Sequence, residues 1–289
     1  MMDIRAILIG LAFALMWSSA FTSARMIVAD APPLYALSLR FLISGLIGVA
    51  IALALGQSWH LTRGQWRAVV IFGITQNALY LGLNFVAMQT VEASLAAIIA
   101  STMPLLVALF GWLILREKLR PLAVAGLVAG FAGVGLIMGA RMTGGVDLWG
   151  VFLCVLGVIS LTVATLSVRV ASGAGGNLMM IVGLQMLVGS AMLIGPAMVL
   201  EVPEVNWTWQ LAGAFTYTVL VPGLAATWAW FLLVGRIGAV KAATFHFLNP
   251  FFGVAVAAVL LGERLGVFDV VGVLVIMAGI LAVQRARLG

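Results

Sequence analysis

The most evident deficit of the sequence is charge. Only 8% of its 289 residues are charged, whereas 64% are hydrophobic and the mean hydropathy is +1.22. A typical soluble domain has about a quarter of its residues charged. The composition therefore excludes a soluble protein and indicates an integral membrane protein.

Cysteine is almost absent as well, because Cys154 is the only one, and this excludes an intramolecular disulfide. The 15 Lys and Arg residues are scattered among short loops rather than clustered on one face, which argues against nucleic acid as a partner. We also expect no cofactor and no metal site.

Long apolar runs, in contrast, fill the chain almost from end to end. A helix needs about 20 apolar residues to cross the hydrocarbon core of a bilayer. The runs predict an all-α integral membrane fold of ten transmembrane helices, which we call the first to the tenth span, at residues 6–26, 34–55, 67–88, 93–115, 121–140, 148–170, 178–200, 210–233, 239–261 and 267–285.

Basic residues indicate the orientation of these spans. With a cytoplasmic N-terminus, eleven of the 15 Lys and Arg residues lie on the inner side and three lie outside, while Arg40 falls within the second span. The cytoplasmic loops of membrane proteins carry an excess of Lys and Arg. The sequence therefore predicts that both termini are cytoplasmic.

Two segments of the chain are alike. Pro104 and Pro250 each lie inside an apolar run, and their offset of 146 residues also relates Glu117 to Glu263. The likeness predicts a duplication. Each half contains five spans, an odd number, so the second half must enter the membrane from the opposite side. The expected architecture is two inverted five-helix repeats around a central cavity, with halves at residues 1–143 and 144–289.

The paired prolines are predicted helix breaks. Proline removes a backbone hydrogen bond and frees the carbonyl four residues earlier. Inside a membrane such a carbonyl is tolerated only where protein or a water-lined cavity satisfies it. A packing kink is the alternative, but interruptions at matching positions of two repeats favour a substrate cavity beside Pro104 and Pro250.

These residues resemble a known family. Ten spans in two five-span halves, the pair Arg40-Phe41, and the endings LILREKLRP and VLLGERL are similar to EamA-type proteins of the drug/metabolite transporter superfamily. The resemblance covers nearly the whole chain and is greatest to the aromatic amino-acid exporter branch. It implies an exporter in the bacterial inner membrane, with a central cavity surrounded by the first, third, fourth, sixth, eighth and ninth spans.

Polar and aromatic side chains on those spans are candidate substrate ligands, since polar groups inside a membrane are often functional. The predicted substrate-binding residues are Trp17, Ser18, Asn77, Tyr80, Asn84, Ser101, Trp228, His246 and Asn249. Hydrogen bonding between helices is the alternative for the stripe Asn77, Tyr80 and Asn84, and close helix packing is the alternative for Ser101. An apolar cavity with aromatic walls and a few polar groups suits a small zwitterion with an apolar side chain.

Arg40 is the one basic residue inside a span. It could bind a substrate carboxylate, extend to the outer interface, or pair with a neighbouring helix. The second half has Leu184 or Gln185 at the equivalent position, so the arginine is not duplicated. The sequence favours a structural role for Arg40.

The predicted function is secondary transport, namely export of aromatic or hydrophobic amino acids and related small metabolites across the inner membrane by alternating access. A multidrug exporter of lipophilic cations is the alternative, but it would be expected to hold a carboxylate in its cavity. An intramembrane enzyme is disfavoured because no span pairs a nucleophile with a base, so we predict that the protein is not an enzyme. The expected partners are a small-molecule substrate and the lipid bilayer, and two GxxxG spacings in the fifth span allow a homodimer.

Overall fold

The computed structural model describes residues 4–170 and 177–288, and this part of the chain is helical apart from short connections. Ten helices in it are long and apolar enough to cross a membrane, which confirms the predicted all-α membrane fold. Their ends differ from the sequence prediction by about one helical turn at most. The bounds are Ile4–Asp30, Pro33–Ala54, Arg63–Ala87, Ala93–Leu113, Pro121–Thr143, Leu148–Val170, Leu178–Leu200, Trp209–Ile237, Lys241–Leu261 and Val267–Leu288.

Four spans are not continuous α-helices. The third contains the π-helix Gly73–Leu81 and the eighth contains the π-helix Val219–Ala225. The fourth divides at Thr102 into Ala93–Ser101 and Met103–Leu113, and the ninth passes through the 3-10 segment Thr244–Leu248 before Asn249–Leu261. Such irregular turns are frequent at functional sites.

The interruptions follow from the prolines. Pro104 and Pro250 are each the second residue of the helix that follows the break, where a missing N–H costs little because the first N–H groups have no intrahelical partner. Pro222 lies inside the second π-helix, where it removes a donor from the turn. The two π-helices start at Gly73 and Val219, which are separated by the same 146 residues as the two prolines.

The second span packs antiparallel to the seventh. Ser38 and Ser190 exchange hydrogen bonds, because each hydroxyl donates to the carbonyl of the other residue at 3.0 and 2.8 Å. Further along, Gly45 lies against Gly183, which is earlier in the seventh span. An inverted repeat requires this antiparallel arrangement of two equivalent spans, and the repeat itself remains a prediction.

The fifth and tenth spans form a second antiparallel pair. Gly126 lies against Gly279 and Gly133 lies against Gly272. A Cβ atom at Gly279 would lie 2.6 Å from the Gly126 carbonyl oxygen, so glycine is required for this close approach. Since Gly126 and Gly130 both contact the tenth span, this GxxxG spacing is used within one chain, and the homodimer stays a prediction.

Loop carboxylates hold together the distal end of the bundle, which we define as the end opposite the two termini. Glu201 accepts hydrogen bonds from the Leu34 and Tyr35 amides at 2.8 and 3.0 Å. Glu263 does the same for the Ala93 and Ser94 amides, also at 2.8 and 3.0 Å. Each carboxylate therefore satisfies free N–H groups at a helix N-terminus and interacts favourably with the helix dipole.

Candidate functional site

Four rings form an aromatic cluster midway along the first span. Phe13 lies 5.8 Å from Trp17 and 5.0 Å from Trp230 between ring centroids. The His246 ring lies edge-on to Phe13 at 5.3 Å and is 5.4 Å from Trp230. These separations are typical of favourable aromatic pairs. The cluster joins the first, eighth and ninth spans.

His246 reaches the cluster because of the irregular ninth span. It lies in the 3-10 segment Thr244–Leu248, directly before the helix that contains Pro250. The Asn249 side chain donates to His246 Nδ1 at 2.9 Å, which fixes the ring orientation. Asn249 Oδ1 is buried and has no hydrogen-bond partner among the described residues. A buried polar atom without a partner is unfavourable, so a ligand donor at this place would be stabilised.

The distal end opens into a cavity of about 770 Å³, which we call the distal vestibule. Its walls come from the ends of several spans and include Arg25, Met26, Gln210, Glu263 and Arg264. A volume of this size is within the range of small-molecule sites. The vestibule gives solutes access to the first, eighth and ninth spans from the distal side.

The opposite end of these spans is closed. Ala6, Leu233 and Ala242 form a buried apolar cluster there, with Phe245 packed against it. The Phe245 ring lies so close to Gly10 that a Cβ atom at this glycine would overlap it. The terminal end of these spans is therefore packed, whereas their distal ends line the vestibule.

Predicted ligands on the third span form hydrogen bonds both within that span and to another span. Asn77 donates to the Gln185 carbonyl of the seventh span at 2.9 Å. Asn84 donates to the Tyr80 carbonyl of its own span at 2.8 Å and faces Gly157 of the sixth span. All three predicted side chains of this stripe are buried, and Asn84 Oδ1 has no hydrogen-bond partner among the described residues.

The predicted serines are buried too, with different surroundings. Ser101 donates to the Ile98 carbonyl at 2.6 Å, as expected at the end of a helical segment. Ser18 lies next to Trp17 and its hydroxyl has no partner within the described chain. Of the predicted substrate ligands, the structure thus brings together Trp17, His246 and Asn249, with Ser18 beside them.

Trp228 does not join the aromatic cluster. Its side chain is 59% exposed, whereas Ala226 and Ala229 on the same turn of the eighth span are buried against the first span. Trp230 is two positions further, about 200° around the helix, and therefore reaches the cluster instead. Sequence reasoning missed Phe13 and preferred Trp228 to Trp230, although Trp230 shares the helical face of the small residue Ala226.

Comparison with known proteins decides the family. The model of the EamA-like transporter family matches residues 4–139 and again 148–284. The chain belongs to the EamA-like transporter family. One match falls in each predicted half, which is consistent with the predicted duplication.

Curated relatives are named as transporters. The chain is 28% identical over 272 residues to the uncharacterized transporter YvbV of Bacillus subtilis, covering 93% of this chain and 88% of the relative. It is 34% identical over 139 residues to the aromatic amino acid exporter YddG of Ancylobacter novellus, covering 48% of each. It is also 28% identical over 270 residues to the uncharacterized inner membrane transporter YedA of Escherichia coli, covering 90% of this chain and 83% of the relative.

A solved crystal structure has the same fold. It aligns with a TM-score of 0.70 and 22% identity, and the alignment covers 97% of this chain and 96% of that one. The protein is therefore a multi-pass membrane protein of a transporter family.

Proposed function

We propose that this EamA-family protein exports aromatic or other hydrophobic amino acids, and related small metabolites, by alternating access. The aromatic cluster carries the proposal. Its rings offer an apolar wall for a hydrophobic side chain, and the unpartnered Asn249 Oδ1 offers an acceptor for an ammonium group. The named function of the relative YddG supports the same substrate class.

Lipophilic cations are the rival substrates, since aromatic rings also attract cations. A cation held inside a membrane is expected to pair with a carboxylate. Every carboxylate of the described chain lies in a loop or at the end of a span, where Glu201 and Glu263 cap helices and Asp269 pairs with Arg141. This distribution favours a zwitterion over a cation.

Alternating access follows from inverted repeats, with residues 1–143 and 144–289 as the two halves. The matched π-helices and the matched breaks at Pro104 and Pro250 support this assignment. The terminal end is closed by Phe245 against Gly10, and exchange of the two half-conformations would close the distal vestibule and open that end. Substrate held beside the aromatic cluster would then change sides.

The distribution of Lys and Arg predicts that both termini are cytoplasmic, which would make the distal vestibule face the outside. In a Cys154→Ala background, we expect a membrane-impermeant maleimide to label cysteines at Gly144 and Glu204 on intact cells. Cysteine at Arg63 should react only after the cells are opened. All three positions are exposed loop or helix-end sites, so access depends on the side of the membrane. The reverse labelling pattern would contradict this orientation. The cytoplasmic position near 174 lies outside the described residues.

The substrate class is tested by counterflow in proteoliposomes. Vesicles preloaded with unlabelled compound should accumulate labelled phenylalanine and tryptophan well above protein-free vesicles, because both fit an aromatic-walled site. A lipophilic cationic dye should show no protein-dependent flux. Transport of the dye without transport of any amino acid would refute the proposed function and support the cation exporter.

A further inference from the structure

Arg40 is buried in the membrane. It lies two turns into the second span, about 10 Å from its distal end. Only 6% of its surface is exposed. The sequence allowed the side chain to extend to the outer interface, where water would solvate the guanidinium. In the structure the side chain is buried within the helix bundle instead.

No anion accompanies this cation. Arg40 Nε is buried without a hydrogen-bond partner, and no carboxylate of the described chain pairs with the side chain. The guanidinium carbon lies 5.0 Å from the centroid of the Phe41 ring, which is a cation–π contact. A buried charge is costly unless it is paired and hydrogen-bonded. Pairing with a neighbouring helix is therefore not the use of Arg40.

The guanidinium faces the π-helix of the eighth span. A Cβ atom at Gly223 would lie 4.0 Å from Arg40 Nη2 and 3.3 Å from the Ser44 hydroxyl, so both groups border this glycine. The Ser44 hydroxyl is buried and, like Arg40 Nε, has no partner. Two neighbouring donors on the second span thus lack an acceptor.

At the predicted equivalent position in the first half, a side chain forms the hydrogen bond between the two spans. Asn77 is separated from Gly223 by 146 residues and lies in the π-helix of the third span. Its amide donates to the Gln185 carbonyl of the seventh span. Gly223 has no side chain and cannot form the corresponding hydrogen bond to the second span. Arg40 of the second span occupies the position that is equivalent to Leu184 or Gln185 of the seventh span. Because of this difference between the halves, Arg40 and Ser44 have unpaired donors beside Gly223, whereas Asn77 is hydrogen-bonded at the equivalent position.

Polar side chains lie between this site and the distal vestibule. Thr218, directly before the same π-helix, donates to Ser23 of the first span at 2.7 Å. Met26, one turn further towards the distal end of that span, lines the distal vestibule. Between these residues and the aromatic cluster, the hydroxyls of Thr22 and Ser18 are buried without partners. Polar groups therefore follow the first span from the vestibule towards the cluster.

From this geometry we infer that Arg40 and Ser44 bind the carboxylate of the transported substrate at Gly223. The inference rests on the proposed function and assigns its substrate class, because it requires a carboxylate in every good substrate. A carboxylate supplies the acceptor oxygens and the negative charge that Arg40 lacks, and Arg offers two parallel donors to it. Cations are correspondingly repelled from the site.

The test compares ligands that differ only at the carboxyl group. Counterflow by the wild-type protein is measured with phenylalanine, with its carboxamide, and with phenylpropionate, which lacks the ammonium group. We expect the carboxamide to be transported at least tenfold less efficiently than phenylalanine, which is the effect of losing a hydrogen bond to a charged group. Phenylpropionate should keep a measurable, Arg40-dependent flux.

Arg40→Gln should reduce phenylalanine transport by at least tenfold and leave carboxamide transport within about twofold, so that the preference collapses. Arg40→Lys retains the charge and should retain part of the preference. Equal loss of both substrates in Arg40→Gln would indicate a structural role and overturn the inference.

If Arg40→Gln does not fold, the comparison of phenylalanine with its carboxamide in the wild-type protein still tests the inference. Equal transport of phenylalanine and its carboxamide by wild type would overturn the inference while leaving the proposed function intact. Failure of the proposed function has a different signature, which is dye flux without flux of any amino acid. Ser44→Ala is a milder second variant, for which we expect a smaller loss that is again confined to the carboxylates.

Discussion

Replacement of Arg141 by methionine is expected to cause the largest loss of stability among single changes. Arg141 donates to both oxygens of Asp269 at 3.0 and 3.1 Å, and it also contacts Glu92. The Asp269 side chain is only 6% exposed. Removing one partner of a buried ion pair leaves an uncompensated charge and typically costs about 3–5 kcal/mol. Thermal unfolding in detergent should show a much lower midpoint.

Two further variants separate the ion pair from a general loss of charge. Arg141→Met combined with Asp269→Asn should recover much of the stability, because the one carboxylate then left without Arg141 is Glu92, whose side chain is 44% exposed. Arg67→Met removes an exposed arginine from the third span and should change the free energy of unfolding by about 0.5 kcal/mol or less. An Arg141→Met protein as stable as Arg67→Met would contradict the importance of this pair.

The same network explains how the distal end keeps its shape. Arg141 connects the fifth span to the tenth through Asp269, while Glu263 of the preceding loop caps the fourth span at Ala93 and Ser94. These bonds fix the ends of three spans, and two of the carboxylates involved, Glu92 and Glu263, line the distal vestibule. A stable rim is needed if substrate is to enter or leave through a vestibule of constant width.

Sequence reasoning could predict the spans because membrane thickness and helix geometry leave little choice. About 20 apolar residues must form a helix to satisfy their backbone groups in lipid, so hydropathy alone places all ten. The prolines were informative for a similar reason, since Pro104 and Pro250 cannot donate and an interruption must occur near them.

The sequence did not predict which face of the third and eighth spans each side chain occupies. A π-helix advances fewer degrees per residue than an α-helix, so the faces of the third and eighth spans rotate within Gly73–Leu81 and Val219–Ala225. The sequence carries no strong signal for these segments apart from Pro222. Trp228 was preferred to Trp230 for its depth in the eighth span, which does not indicate the face of the helix that contacts the first span.

For Arg40, the sequence left carboxylate binding open but favoured a structural role. Its burial and its lack of a partner depend on contacts between spans that are far apart in sequence, such as Gly223 of the eighth span. A single arginine near a span end is compatible with extension to the interface, and the sequence favoured this structural reading. Only the three-dimensional arrangement distinguishes a solvent-exposed arginine from a buried one.

Trp230 and Trp228 provide a matched pair for the largest expected effect on transport. Trp230 contacts Phe13 and His246 with centroid distances of 5.0 and 5.4 Å, whereas Trp228 is 59% exposed on the other side of the same helix. An aromatic pair contributes about 0.5–1.5 kcal/mol beyond the area that it buries, and a substrate ring held beside Trp230 would lose both contributions in Trp230→Ala, so the apparent affinity for tryptophan should fall by about tenfold or more. Trp228→Ala should leave that affinity nearly unchanged.

The measurement is the concentration dependence of counterflow for the two alanine variants, normalised to the amount of folded protein in the vesicles. Trp230→Phe keeps an aromatic face and should fall between wild type and Trp230→Ala. Trp230→Ala also removes packing against Phe13 and His246, so the thermal stability of both alanine variants is measured before their affinities are compared. A loss in Trp228→Ala that equals the loss in Trp230→Ala would therefore place the substrate elsewhere. A loss confined to Trp230 would locate substrate binding at the junction of the first, eighth and ninth spans.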